Sequence, residues 1–207
     1  MTHATSKMRG RTRGQTVDQL RPNILNLANQ LTILRILFVP VILILLVYSR
    51  LGAALLVFIA AGLTDGLDGL IARRFGQKTS IGGILDPVAD KLLMSSSLVV
   101  LALPQMGFIN AIPLWLMLLI IIRDVFLIAG SLAFILLYGF RMFPPTFYGK
   151  VSTVFQLLTV FSVLFYNWLG VRQEGLYFIF ILTGLLTAVS GIQYLARAGR
   201  LSEDREA

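Results

Sequence analysis

The chain alternates long apolar runs with short polar, mostly basic segments. Leu31–Ser49 carries one charge, Arg35, and Leu51–Thr64 carries none before the segment continues through Asp65 and Asp68 to Arg73. Leu92–Ile122 is uncharged but is interrupted by Pro104, Gly107 and Pro113, so it divides into two elements. Val125–Phe140, Val151–Val171 and Gly175–Ala196 are also free of charge. Periodicity does not separate helix from strand in wholly apolar runs, so length decides. Runs near ~20 residues match membrane-crossing helices and exceed the ~9–11 residues of a barrel strand. The pattern predicts helices over 31–49, 51–73, 84–103, 113–139, 149–169 and 175–195, forming a membrane domain over residues 31–196. Residues 1–30 form a polar, basic arm whose end, from Pro22, is expected to be a short interfacial helix, and residues 197–207 form a tail. The first apolar stretch starts late and lacks a small-x-small end, so no cleaved signal peptide is expected.

Composition supports this division. Of 207 residues, 57% are hydrophobic and 14% charged, against ~45–50% and ~25% for ordinary soluble domains. Cysteine is absent and His3 is the single histidine. Thiolate metal sites, disulfides, Cys nucleophiles and His-based triads are thereby excluded. Chemistry must run on carboxylates, Lys, Arg and hydroxyls.

The net charge of +8 does not indicate a nucleic-acid partner, because the basic residues form no single stripe. With the amino terminus inside, thirteen basic residues fall on inner segments: Lys7, Arg9, Arg11, Arg13, Arg21, Arg73, Arg74, Lys78, Arg141, Lys150, Arg197, Arg200 and Arg205. The outer loops hold only Arg50 and Arg172. The positive-inside rule then gives an all-α integral membrane protein, a six-helix bundle in the cytoplasmic membrane with both termini cytoplasmic. No internal repeat is visible, so a repeat-built transporter gains no support.

Five of the ten acidic residues lie within or at the ends of apolar spans: Asp65, Asp68, Asp86, Asp90 and Asp124. An ionised carboxylate there costs several kcal/mol unless compensated. Asp65 and Asp68 are spaced i,i+3 and Asp86 and Asp90 i,i+4, so each pair shares one face of its helix. If the two helices run antiparallel, all four converge on one pocket near the cytoplasmic face, with Asp65 ~12 Å in from Arg73. Arg73 and Lys91 are too few to balance four carboxylates, so cations are required. Oxygen-only ligation favours two divalent ions, Mg²⁺ or Mn²⁺, an arrangement suited to displacement at phosphorus. The competing structural reading is helix-end carboxylates that snorkel or pair with arginine, which fits one aspartate better than four at this spacing. Gly66, Gly69, Ala72, Gly82 and Gly83 beside them permit close approach of either a helix or a nucleotide.

Asp65-Gly-Leu-Asp68-Gly69-Leu-Ile-Ala72-Arg73, eight further residues, then Gly82-Gly-Ile-Leu-Asp86-Pro-Val-Ala-Asp90 resembles the CDP-alcohol phosphatidyltransferase signature D-x2-D-G-x2-A-R-x8-G-x3-D-x3-D at all eight fixed positions. Weaker resemblance runs from Asn29 to about Gln156. The resemblance implies six transmembrane helices, a homodimer, and a site open to the cytosol and inner leaflet, with CDP-diacylglycerol as donor and CMP displaced directly. By position, Asp65, Asp68 and Asp86 would hold one divalent ion, and Asp65, Asp86 and Asp90 a second. Asp90 would also deprotonate the acceptor hydroxyl. Gly69, Ala72, Arg73 and Gly82 would line the CDP site, with Thr79 on the nucleotide and Asn29 and Thr32 as further contributors.

For the acceptor, Arg35, Arg123 and Lys150 are the basic residues in or at the ends of the other spans, and they are expected to bind its phosphate. Arg123 and Asp124 are adjacent, so they are expected to point in different directions and not to neutralise each other. Glycerol 3-phosphate, giving phosphatidylglycerophosphate, and phosphatidylglycerol, giving cardiolipin, both fit. Asn29-Gln-Leu-Thr32-Ile-Leu-Arg35, with Pro40 after it, resembles the phosphatidylglycerophosphate synthase branch and favours the former. Arg123-Asp124-Val125 and the segment from Pro145 through Lys150 and Thr153 to Gln156 resemble the cardiolipin synthases of the same family. Phospholipase-D-like cardiolipin synthases need H-x-K-x4-D motifs, which this chain lacks. A cation- or proton-coupled transporter would also place carboxylates in the membrane, more typically near the midplane on separated helices.

Overall fold

The computed structural model describes the backbone of residues 27–75, 82–138 and 147–203 and the side chains of 34–64, 91–130 and 147–196. These residues form six α-helices: α1 (Leu27–Val47), α2 (Leu51–Phe75), α3 (Gly82–Ala102), α4 (Leu114–Tyr138), α5 (Phe147–Trp168) and α6 (Leu176–Glu203). No strand occurs among them. Each predicted helix is present, with two shifts of boundary. The first helix begins at Leu27, inside the stretch assigned to the polar arm, and the last runs to Glu203, into the expected tail. Both extensions follow from local chemistry. Leu27-Ala-Asn-Gln and Ala196-Arg-Ala contain no proline and mostly good helix formers, and a charge does not stop a helix that has left hydrocarbon. The expected interfacial helix from Pro22 lies outside the described residues.

The connections use the predicted breakers. After α3, Pro104–Met106 makes a single 3₁₀ turn closed by Gly107 at φ 63°. Gly170 ends α5 at φ 68°, and the Val171 amide donates to the Tyr166 carbonyl at 3.1 Å, the long bond of a left-handed helix cap.

Contacts between helices set their directions. Trp168, ending α5, lies against Gly52 at the start of α2. The Ile112 amide, just before α4, donates to the Leu101 carbonyl at the end of α3. Trp115 and Tyr194 seat on Gly184 and Gly130, pairing the start of α4 with the first half of α6 and the later part of α4 with a later turn of α6. Thus α4 and α6 run parallel, and α3–α4 and α2–α5 run antiparallel. A Cβ at Gly184 would stand 2.7 Å from Trp115 Cζ3, and one at Gly130 2.6 Å from the Tyr194 hydroxyl oxygen. Glycine is what lets these aromatic rings close on the facing helix.

One end of the bundle, where α2, α4 and α6 begin and α3 and α5 finish, is tied by a polar clasp. The Asn110 amide donates to Asn167 Oδ1 at 2.9 Å, and Asn167 Nδ2 donates to the Asn110 and Val163 carbonyls at 2.7 and 2.8 Å. Asn110 Nδ2 reaches the Val171 carbonyl and its Oδ1 accepts from the Gln173 amide. Tyr48, Trp115, Trp168 and Tyr177 are exposed around this end, as aromatic side chains gather at a membrane–water boundary.

Burial is distributed inside-out. Leu56, Phe126, Phe178 and Ile192 are 61–72% exposed, whereas Arg35, Arg123, Asp124, Gln156, Thr159 and Ser190 are buried. Water does not tolerate so continuous an apolar surface; hydrocarbon does, and it drives polar groups inward to find partners. Among the described residues, Phe147–Trp168 and Leu176–Ala196 are long and apolar enough to cross a bilayer. Leu34–Val47, Leu51–Thr64 and Lys91–Ala102 form shorter apolar stretches of α1, α2 and α3.

Candidate active site

The signature falls on two helices. Asp65, Asp68, Gly69, Ala72 and Arg73 occupy the last turns of α2, and Gly82, Asp86 and Asp90 the first turns of α3. Both pairs lie in unbroken helix, so the i,i+3 and i,i+4 spacings hold along the backbone. The contacts above put the start of α2 and the end of α3 at the aromatic end, so both signature segments belong to the opposite half of the bundle. At ~1.5 Å per residue, Asp65 and Asp90 stand about 20 Å from the aromatic end, and Asp68 and Asp86 about 25 Å. α1 packs against both α2 and α3 and carries Asn29 and Thr32 in its first turns. The side chains of these signature residues, Asn29 and Thr32 lie outside the described residues, and Thr79 lies outside them altogether.

A described cluster adjoins the signature. Lys91, the residue after Asp90, donates from Nζ to Asp124 Oδ2 at 2.7 Å. Asp124 Oδ1 accepts from Arg123 Nη1 at 2.8 Å, and Arg123 Nη2 donates to Ser190 Oγ on α6 at 2.7 Å. One carboxylate therefore holds two cations from two helices, and the string of four side chains ties α3, α4 and α6 together. Arg123 Nε is buried and has no hydrogen-bond partner among the described residues.

The expectation that Arg123 and Asp124 diverge is overturned by this 2.8 Å pair. Their Cα–Cβ bonds do leave the helix ~100° apart. However, both face inward between exposed Ile122 and Val125, and the long arginine stem curls back to the carboxylate. For side chains this buried, an unpaired arginine is the costlier alternative.

The three basic residues expected at the acceptor phosphate occupy different settings. Arg35 is 1% exposed on α1, Arg123 is buried at the α4–α6 seam, and Lys150 is exposed in the first turn of α5. The described residues do not gather them into one cavity. Arg123 does form part of the wall of a groove of about 290 Å³ between α4 and α6, which Thr187 and Tyr194 also line but which is mostly apolar, with Ile122, Phe126, Ala188 and Leu195 among its side chains.

A polar seam between α5 and α6 has no counterpart in the sequence reading. Ser152 Oγ and Thr187 Oγ1 are 3.1 Å apart, Gln156 Nε2 donates to both at 3.3 Å, and Thr159 and Thr183 hydroxyls meet at 2.8 Å. Its signal was present as hydroxyl and amide residues at 152, 156 and 159 and at 183, 187 and 190, a helical spacing inside apolar runs.

A family model described as CDP-alcohol phosphatidyltransferase matches residues 25–190. The chain belongs to this family of phospholipid-synthesising enzymes, which are membrane-associated and use divalent cations. Among its relatives, a probable cardiolipin synthase (CMP-forming) of Drosophila melanogaster is 35% identical over 93% of this chain and 64% of its own length. A probable phosphatidylglycerophosphate synthase of Mycobacterium tuberculosis is 33% identical over 87% of this chain and 85% of the relative. A CDP-diacylglycerol--glycerol-3-phosphate 3-phosphatidyltransferase of Rickettsia felis is 34% identical over 82% of this chain and 93% of the relative. The chain thus spans just under two thirds of the Drosophila protein and most of the bacterial ones.

Proposed function

We propose that the protein transfers the phosphatidyl group of CDP-diacylglycerol to a glycerol hydroxyl of a phosphate-bearing acceptor and releases CMP. Glycerol 3-phosphate is the acceptor assigned, making the protein a phosphatidylglycerophosphate synthase. The observation that carries this is the complete signature on two helices in one half of the bundle. The donor set fits divalent cations: four aspartates and no nitrogen or sulfur ligand. Lys91, the nearest described ammonium, is engaged with Asp124 at 2.7 Å, which leaves still less protein charge for the four carboxylates. Asp65, Asp68, Asp86 and Asp90 would hold two such ions, Mg²⁺ or Mn²⁺, whose charge would offset that developing on the pyrophosphate as CMP leaves.

The chain's own groups have distinct tasks. Asp90 takes the proton from the attacking hydroxyl. Gly69, Ala72, Arg73, Gly82 and Thr79, with Asn29 and Thr32, receive the CDP portion, small residues allowing the pyrophosphate close to the backbone. Arg123, which borders the groove between α4 and α6, binds the acceptor phosphate; Lys150 and Arg35, which the described residues do not bring to that groove, are assigned to it from the sequence alone. Six spans, both termini in the cytoplasm of a cell with a cytoplasmic membrane, and two copies per functional unit complete the assignment. The thirteen-to-two distribution of basic residues and the alternating helix directions support this orientation, and the diacyl chains of the donor then stay in the bilayer.

A second reading, cardiolipin synthesis with phosphatidylglycerol as acceptor, is supported by the groove between α4 and α6. Its apolar wall beside Arg123 suits an acyl chain, which glycerol 3-phosphate lacks. Offering glycerol 3-phosphate, phosphatidylglycerol, inositol phosphate and serine separately to purified protein with CDP-diacylglycerol decides between them. Product from glycerol 3-phosphate alone supports the first reading, and product from phosphatidylglycerol alone replaces it with the second. Arg123→Ala is expected to raise the acceptor KM by about tenfold or more, the loss typical of one charged hydrogen bond, and far more than that of CDP-diacylglycerol, which loss of the Arg123–Asp124 contact also touches. Equal rises in both would remove Arg123 from the acceptor site.

A further inference from the structure

The Lys91–Asp124–Arg123–Ser190 string does more than neutralise charge, because of where it begins. Lys91 directly follows Asp90 on α3 and lies five residues, about 7.5 Å along the axis, from Asp86. Lys91–Asp124 is the one side-chain hydrogen bond between α3 and α4 among the described residues. The neighbouring hydroxyls of Ser96 and Ser97 both turn back to the Leu93 carbonyl of their own helix, at 3.1 and 2.8 Å, and add no tie. Asp124 itself is anchored from the far side, since Arg123 holds its other oxygen and reaches Ser190 on α6. Besides its packing on α1, α4 and α5, α3 is thus tied to α4 and α6 just after Asp90 through one carboxylate.

Resting on the assignment of the four aspartates to divalent cations, we propose that Asp124 is a positioning residue: through Lys91 it sets the placement of Asp86 and Asp90 on α3. It touches no substrate. Groups that orient metal ligands in this way typically change metal affinity by ~10–100-fold when removed.

Charge and position make opposite forecasts for Lys91, and this separates them. Removing a positive charge near the carboxylates would tighten cation binding if only the field mattered. Loss of the tie loosens it. The test is Mn²⁺ binding to purified full-length protein, without nucleotide, followed by electron paramagnetic resonance of the free ion. Asp124→Asn and Lys91→Met are each expected to raise the Mn²⁺ Kd about tenfold. The double variant is expected to be no weaker than the weaker single one, since both remove the same tie. Lys91→Met binding Mn²⁺ as tightly as wild type or more tightly overturns the proposal, and so do single effects that multiply in the double variant. Lys91→Met carries the test even where Asp124→Asn, which leaves two cations facing a neutral amide, does not fold. Failure of the underlying assignment looks different: the unaltered protein would bind no Mn²⁺ and release no CMP.

Discussion

Asp90→Asn is expected to lower turnover at least about a thousandfold while leaving the protein folded and still able to bind CDP. The amide has nearly the shape of the carboxylate, so packing is retained. It cannot accept the acceptor's proton, and loss of a general base alone costs ~10²–10⁴-fold. It is also a poorer cation ligand, so the two losses fall on the same step. A thousandfold loss corresponds to about 4 kcal/mol of transition-state stabilisation. Steady-state CMP release beside CDP binding, measured by calorimetry on the same preparation, checks this. Undiminished turnover would remove Asp90 as the base, and loss of folding would place it in the scaffold instead.

Asn167→Ala is expected to do the reverse. Asn167 supplies the partners of both the Asn110 amide and the Asn110 carbonyl, at 4% exposure. Alanine strands both backbone groups, and a buried unpaired polar group costs ~1–3 kcal/mol, so a loss of about 2–5 kcal/mol of stability follows. The clasp lies at the aromatic end, away from the signature half, so turnover per folded molecule should stay within about twofold of wild type. Thermal unfolding in detergent, followed by circular dichroism, and activity well below the transition measure the two quantities. An Asn167→Ala protein as stable as wild type would show that water or lipid headgroups satisfy Asn110 instead. Catalytic loss without destabilisation would tie this end to the chemistry.

Much of the helix plan was legible because apolar runs bounded by Pro, Gly and charge have few alternatives. Pro104, Gly107 and Pro113 divided one long run correctly, since prolines flanking a left-handed glycine turn end a helix, whereas Pro40 alone sits within α1. Boundaries were less legible at Leu27 and Glu203, where helix formers continue past the apolar limit and composition changes before backbone conformation does. Asp65, Asp68, Asp86 and Asp90 stood out because carboxylates in apolar sequence need a reason. The link between Lys91, Asp124 and Ser190 did not, because it depends on which helices are neighbours. Adjacency along the chain misled at Arg123–Asp124, where a long flexible side chain mattered more than the direction of its Cβ. The seam of Ser152, Gln156, Thr159, Thr183 and Thr187 had a helical spacing that was visible but chemically mute, since hydroxyls in membrane helices often bond only to their own backbone.

The most direct measurement is CMP formation from CDP-diacylglycerol by purified protein, with divalent cation and acceptor alcohol each added and withheld. The account predicts CMP only when Mg²⁺ or Mn²⁺ and the alcohol are present together, in equal amount to the phospholipid formed. CMP release without metal, or no release with both present, would contradict it.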